Sequence, residues 1–231
     1  MGKVVENVAV ERHHTIAVTI DNEAEWAEKE ALLRDCDVAI DFSQPTTAVA
    51  NIEKCFDLDV PVVVGTTGWY DRLEEMTARC KAENRALFVA SNFSIGMNIM
   101  FDLNRRLAHL MNRYEDYAVS ITETHHIHKL DAPSGTAISL AKDAIEELDR
   151  KEGWTLAGEG VTAAEEAIAI TSIREGEVAG IHEVVYDSPI DTITLSHSAK
   201  SRRGLAVGAV LAAEFLQGKK GYYTMKELLA E

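Results

Sequence analysis

Cysteine, basic side chains and long apolar runs are all scarce in this 231-residue chain. Its three cysteines, Cys36, Cys55 and Cys80, stand apart, and none forms a CxxC pair. An odd, scattered set speaks against a disulfide framework and a thiolate metal knuckle, so free thiols in a reducing compartment are expected. Only 23 Lys and Arg oppose 38 Asp and Glu, giving a net charge of −15. That deficit argues against nucleic acid or a membrane surface as partner. An anionic small substrate stays open, provided that a few residues build a local basic pocket. No apolar run reaches membrane-spanning length and no signal-peptide pattern opens the chain, so a cytoplasmic location is expected. Internal repeats and low-complexity tracts are also absent.

What is present suits a globular enzyme. The chain is 46% hydrophobic and 26% charged, and its length allows one large domain or two small ones with real cores. Periodicity predicts a helix over 3–12, with Val4, Val5, Val8 and Ala9 on one face, and then a short β-branched strand over Thr15–Ile20 that ends at Asp21. Further strands are expected at 38–42, 61–64 and 86–90, with helices from Pro45 to Phe56 and over 70–83. Short apolar strands alternating with helices indicate a doubly wound parallel sheet of the Rossmann type, which binds ligands at the carboxyl ends of its strands. Three such ends carry small or polar residues: Asp41-Phe42-Ser43, Gly65-Thr66-Thr67 and Ser91-Asn92-Phe93.

After Ser94 the pattern changes. A helix over 96–113, a strand over 117–124, a helix over 136–149, a loop over 150–165 and three alternating segments at 167–174, 178–187 and 191–199 predict an α+β second domain with a mixed or antiparallel sheet. A buried helix from Gly204 to Leu216 follows. The expected division is 1–94 with 204–231 for a dinucleotide-binding domain, and 95–203 for substrate binding and oligomerisation.

A dinucleotide domain should open with a strand and a G-x-G-x-x-G loop, whereas this sequence runs from Met1-Gly2 straight into a helix. Asp21 lies near the offset of roughly twenty residues expected of the ribose-binding acid, so Gly2 fits the last glycine of such a loop. Two readings account for this: a start assigned at an internal methionine, or a chain that lacks its first strand. The first is favoured, because losing a central strand would be severely destabilising.

The densest chemistry lies in Glu123-Thr-His-His-Ile-His-Lys-Leu-Asp-Ala-Pro-Ser-Gly-Thr136. Adjacent imidazoles and an amine can bind carboxylates and move protons near neutral pH. The Ser-Gly-Thr turn ahead of a helix offers free N–H groups to an anion. Metal binding by His125, His126 and His128 is disfavoured, because neighbouring histidines of one loop seldom converge on one ion.

This segment resembles the signature E-x-x-H-H-x-x-K-x-D-x-P-S-G-T-A of the dihydrodipicolinate reductase family, a lysine/diaminopimelate-pathway enzyme, with one residue fewer in the first spacer. Gly65-Thr-Thr-Gly68, Ser91-Asn-Phe-Ser-Ile-Gly96 and Ser196-His-Ser-Ala-Lys-Ser-Arg202 match in the same order. The resemblance implies reduction of a cyclic dicarboxylate to tetrahydrodipicolinate with NADH or NADPH, in a homotetramer. It makes His125 the acid/base histidine and Lys129 a proton donor that also faces substrate. His126, Gly135 and Thr136 would bind substrate. Phe42, Gly65, Thr66, Thr67, Ala90, Ser91, Asn92 and Phe93 would line the cofactor, with Asp21 near the adenosine ribose. A carboxylate there favours NADH modestly, since it repels a 2′-phosphate. The alternatives are a different NAD(P)-dependent dehydrogenase of an amino-acid precursor, or a truncated, catalytically impaired paralogue.

Overall fold

The computed structural model describes residues 1–158 and 163–230. The chain divides into two compact units, Met1–Ile95 with Arg203–Glu231, and Gly96–Arg202. In chain order the first unit begins with α1 (Gly2–Glu11), α2 (Glu23–Leu33), β1 (Ala39–Asp41), α3 (Pro45–Asp57), β2 (Val62–Val64), α4 (Leu73–Ala82, preceded by a 3-10 turn at Tyr70–Arg72) and β3 (Ala86–Val89). The second unit holds α5 (Ile95–Met111), β4 (Ala118–His125), α6 (Gly135–Glu147), β5 (Gly153–Leu156), β6 (Ala167–Arg174), β7 (Ile181–Asp187) and β8 (Thr192–Ser198). The chain then returns to the first unit with α7 (Arg203–Leu216), β9 (Gly221–Tyr223) and α8 (Met225–Ala230).

The first sheet is parallel throughout, in the order β1-β2-β3-β9. Its strands are apolar on both faces, as a sheet covered twice requires. Val62, Val64, Leu87 and Val89 pack against Ala48, Ile52 and Phe56 of α3 and Met76 of α4. Val63, Ala86 and Phe88 point the other way, onto Ala209, Ala212 and Leu216 of α7. Val5, Val8 and Ala9 of α1 close over Ala206 and Val210 of α7. Gly208 lets α7 press against the preceding loop, because a Cβ there would collide with the carbonyl oxygen of Phe93.

The second sheet is mixed, in the order β5-β6-β4-β7-β8: β4 runs parallel to β6 and antiparallel to β7. One face packs on α5 and α6, with Val119, Ile121, Ile168, Ile170, Val184 and Tyr186 against Met97, Met100, Leu140 and Ala144. Among the described residues no helix is long and apolar enough to cross a membrane.

Three sequence expectations need correction. Residues 15–20 form no strand: a strand exists only as part of a ladder, and among the described residues this segment pairs with none. The expected loop over 150–165 contains β5, whose register beside β6 is set by Trp154 opposite Ile168; residues 159–162 of that expectation lie outside the described residues. Beyond Leu216, β9 and α8 were not foreseen; the three-residue β9 completes the sheet edge by pairing Tyr222 with Leu87.

Candidate active site

Strand periodicity builds the centre of the second unit. Alternate residues of β4 face the core, so the face that buries Val119 and Ile121 goes on to bury Glu123 and His125. Glu123 is fully buried. A buried carboxylate must be paired and hydrogen-bonded, and this one is. Its Oε2 accepts from His125 Nδ1, while Oε1 takes Arg174 Nη2 at 2.9 Å and the Ser134 backbone N–H at 3.3 Å. Burial alone would push the Glu123 carboxyl up, but the hydrogen bonds from Arg174 and His125 help to outweigh it and hold the group below the usual carboxylate range.

His125 responds in the opposite sense. Burial pulls its pKa down, the Glu123 carboxylate offsets part of this, and the charges of Lys129 and Arg174 reinforce the fall. The contact resembles an ion pair, yet the balance favours neutral imidazole. A carboxylate only accepts, so the proton sits on Nδ1 and Nε2 is left as an acceptor. Gly180, at φ 148°, keeps the space beside that atom clear: a Cβ would stand 3.0 Å from Nε2.

Lys129 Nζ grips both oxygens of Asp131, at 2.8 and 2.9 Å. Arg174 fixes the same loop by donating to the carbonyl oxygens of Lys129 (3.3 Å) and Asp131 (2.6 Å). His126 is tethered through its N–H to Val178 O, and its buried Nδ1 has no partner in the structure. His128 is exposed, lies 3.2 Å from Glu177 and stands beside the His126 ring.

Ser134 caps α6 by accepting the Ala137 N–H at 3.2 Å. The first two helical N–H groups, of Gly135 and Thr136, have no partner within the helix and suit an anion. The structure thus brings His125, Lys129, Gly135 and Thr136 around one end of β4.

The sequence did not reveal roles for Glu123, Arg174 or His182. His182 lies opposite Glu123 on β7, is 5% exposed, and meets the His125 ring edge-on at 5.1 Å. Glu123, His125 and His182 have ligand atoms within 4.8 Å of one another. Arg174 and Lys129 already supply positive charge there, which opposes a further cation. A usable sign was present: in Ile181-His-Glu-Val-Val-Tyr186 the histidine shares the core-facing parity of Val184 and Tyr186.

In the first unit, the ends of β1, β2 and β3 lie side by side. Gly65 is required by packing, since a Cβ would strike the Phe42 ring. The expectation that Thr66 and Phe93 face a ligand needs correction for their side chains. Thr66 Oγ1 donates to Asp41 Oδ2 at 2.6 Å and accepts the Ser43 N–H at 2.8 Å, tying β1 to β2. The Phe93 ring is buried against Phe88 and Phe42. Both residues offer a ligand main chain only. Thr67 and Ser91 are exposed, Ala90 is buried, and the Asn92 carboxamide oxygen accepts the Ser94 N–H. Asp21 is exposed, and its N–H donates to Glu25 Oε2. A shallow cleft of about 170 Å³ beside Ala90 and Ser91 is walled by Tyr70, Leu73, Val89 and Tyr222.

Comparison with known proteins agrees with this layout. Residues 1–93 match the family described as dihydrodipicolinate reductase, N-terminus, and residues 96–229 its C-terminus. The chain is 46% identical over its whole length to a 4-hydroxy-tetrahydrodipicolinate reductase of Christiangramia forsetii, covering 94% of that protein. It is 34% identical over 87% of its length to the enzyme of the same name from Neisseria gonorrhoeae, covering 75% of it. In fold it resembles a dipicolinate-bound dihydrodipicolinate reductase from Paenisporosarcina, with TM-score 0.76 and 23% identity over 96% of this chain and 92% of the other. With both halves matched in order and close relatives spanning the full sequence, the chain belongs to the dihydrodipicolinate reductase family.

Proposed function

We propose that the second unit of this NAD(P)H-dependent reductase binds its cyclic dicarboxylate at the start of α6 and protonates it from the loop after β4. The reaction is the reduction of 4-hydroxy-tetrahydrodipicolinate to tetrahydrodipicolinate in lysine/diaminopimelate biosynthesis. The alternatives, a different dehydrogenase or an impaired paralogue, draw no support from relatives that share this name along the chain.

The observation that carries the reading is the buried Glu123–His125 pair next to Lys129 and to the free N–H groups of Gly135 and Thr136. Bound NAD(P)H supplies a hydride. Hydride addition to a conjugated double bond leaves an electron pair that must take a proton, and a cationic donor lowers the cost of that charge. Lys129 Nζ, paired with Asp131 before the reaction, gives its proton to the substrate and is left as a neutral amine. His125, held neutral and in one tautomer by Glu123, presents Nε2 as acceptor. Gly135 and Thr136 hold one substrate carboxylate through main-chain N–H groups, and His126 assists.

The first unit has features that fit the dinucleotide. Small residues at the ends of β2 and β3 allow close approach to main chain. Phe42, Gly65 to Thr67 and Ala90 to Phe93 line the cofactor, and Asp21 accepts from the ribose, favouring NADH. Residues 1–94 with 204–231 thus form the dinucleotide domain, and 95–203 the substrate domain. The enzyme acts in the cytoplasm as a homotetramer. The face of the second sheet turned away from α5 and α6 supports that assembly, because small residues (Ser120, Thr122, Thr124, Ala169 and Thr171) cover most of β4 and β6, with Glu183 and Asp187 at its β7 side.

The test is NADH oxidation with substrate generated in situ by the preceding synthase. Turnover competitively inhibited by pyridine-2,6-dicarboxylate is expected; no turnover would overturn the reading.

A further inference from the structure

The register of the second sheet places four polar residues in one line on its core-facing side. Glu123 pairs with Ser172 on β6 and with His182 on β7, and His182 pairs in turn with His197 on β8. Of these four, only Glu123, through its bond to His125, enters the proton transfer described above. His182 has no part in it, yet it occupies a buried position that Val184 and Tyr186 show to be suited to an apolar residue. A buried imidazole is costly unless its polar atoms are engaged.

One of them is engaged. His182 Nε2 lies 3.1 Å from Ser134 Oγ. That oxygen also accepts the Ala137 N–H, so one hydroxyl joins the helix cap to the His182 ring. Burial holds His182 down to about 4, so its ring is neutral at physiological pH. The Ser134 rotamer is thereby fixed, and its N–H still reaches Glu123 Oε1. The same imidazole packs its edge on the His125 ring. His182 therefore touches both parts of the site at once, the proton-transfer pair and the cap of the anion-binding helix, without being open to substrate.

We infer that His182 is a positioning residue: through Ser134 it sets the free N–H groups of Gly135 and Thr136 in register with His125. The inference rests on the reading of those two groups as the carboxylate site. If His182 only filled space, an apolar ring of similar size would replace it without effect on affinity.

The experiment measures, on the full chain, the Kd of pyridine-2,6-dicarboxylate by calorimetry and KM and kcat by NADH oxidation. The variants are His182→Phe, His182→Gln, Ser134→Ala and the Phe/Ala double variant. Loss of one buried hydrogen bond that aligns a carboxylate site should weaken dicarboxylate binding about tenfold in His182→Phe and in Ser134→Ala. The double variant should be no more than about twofold worse than either, because both changes remove one interaction. His182→Gln, whose amide can reach Ser134, should recover to within about threefold of the original. NADH affinity should not change. Dicarboxylate Kd and KM unchanged in His182→Phe, additive losses in the double variant, or a Gln variant no better than Phe would each overturn the inference. Should His182→Phe fail to fold, His182→Leu takes its place: a tenfold weaker Kd supports the inference and an unchanged Kd overturns it. Absence of turnover in the unaltered chain, with this pattern of Kd values intact, would defeat the proposed reaction and leave the positioning role standing.

Discussion

The parallel sheet of the first unit offers its ligand-facing groups at strand ends, whereas the mixed sheet of the second carries them along one buried face. At the ends of β1 to β3 the side chains are small, or are committed to the fold, as Thr66 is to Asp41 and Phe93 is to the core. What remains for a ligand is main chain. On β4 and β7 the same positions that elsewhere hold Ile121 and Val184 hold Glu123, His125 and His182. There the chemistry is side-chain chemistry in a low-dielectric setting, where pairing decides charge. The first arrangement tolerates sequence change as long as the backbone holds. The second does not.

The sharpest way to break this contrast is to remove a side chain from the second unit. Lys129→Ala should lower kcat by roughly 10²- to 10⁴-fold while leaving NADH affinity intact, as measured by steady-state kinetics and calorimetry. A loss below tenfold would show that the loop's charge is dispensable. Next comes a change to backbone packing in the first unit. Gly208→Ala forces a methyl group into the Phe93 carbonyl, and should destabilise the chain by about 3 kcal/mol in urea unfolding. An unchanged midpoint would mean that α7 shifts freely and that the strand ends are not held as rigidly as the packing indicates.

The third prediction concerns pH. His182 is held down to about 4, against an ordinary value of 6.5. An unfolded chain therefore takes up the proton first as pH falls. The stability from neutral His182 is full above 6.5, declines between 6.5 and about 4, and is gone below. Its ceiling is roughly 3 kcal/mol. His125, also lowered, acts in the same direction. The Glu123 contribution is lost only further down, as pH falls below the ordinary carboxyl value of 4.5. Unfolding midpoints measured from pH 7 to 4 should fall, and His182→Gln should flatten the slope. A slope equal in both proteins would remove His182 from the account. The smallest effect belongs to Asp21→Ala, which should weaken NADH about tenfold and leave NADPH nearly unaffected. Equal weakening of both would place Asp21 away from the ribose.

Much of this organisation is legible in the sequence. Continuous apolar runs at 62–64 and 86–89, Pro45 at the start of α3, and the helix 95–111 follow from local pattern. What the sequence hides is non-local. Whether Thr15–Ile20 becomes a strand depends on a neighbour, not on its β-branched residues. β5 and β9 are short and owe their existence to β6 and β3. The site divides in the same way. His125, Lys129, Gly135 and Thr136 are contiguous and readable as a motif. His182 and Arg174 reach Glu123 only through strand register, across more than fifty residues of chain in each case.

The segment around Asp21 has a further consequence. Residues 14–21 belong to no ladder, and Asp21 itself is exposed. A substitution of Asp21 disturbs no strand pairing and opens no cavity. With Asp21 as the ribose partner proposed above, preference between the two nicotinamide dinucleotides is free to drift during evolution at almost no cost in stability. The buried row on the second sheet has no such freedom, since changing one member strands the charge or the hydrogen bond of the next. Among descendants of this chain, cofactor choice should diversify long before the dicarboxylate site does.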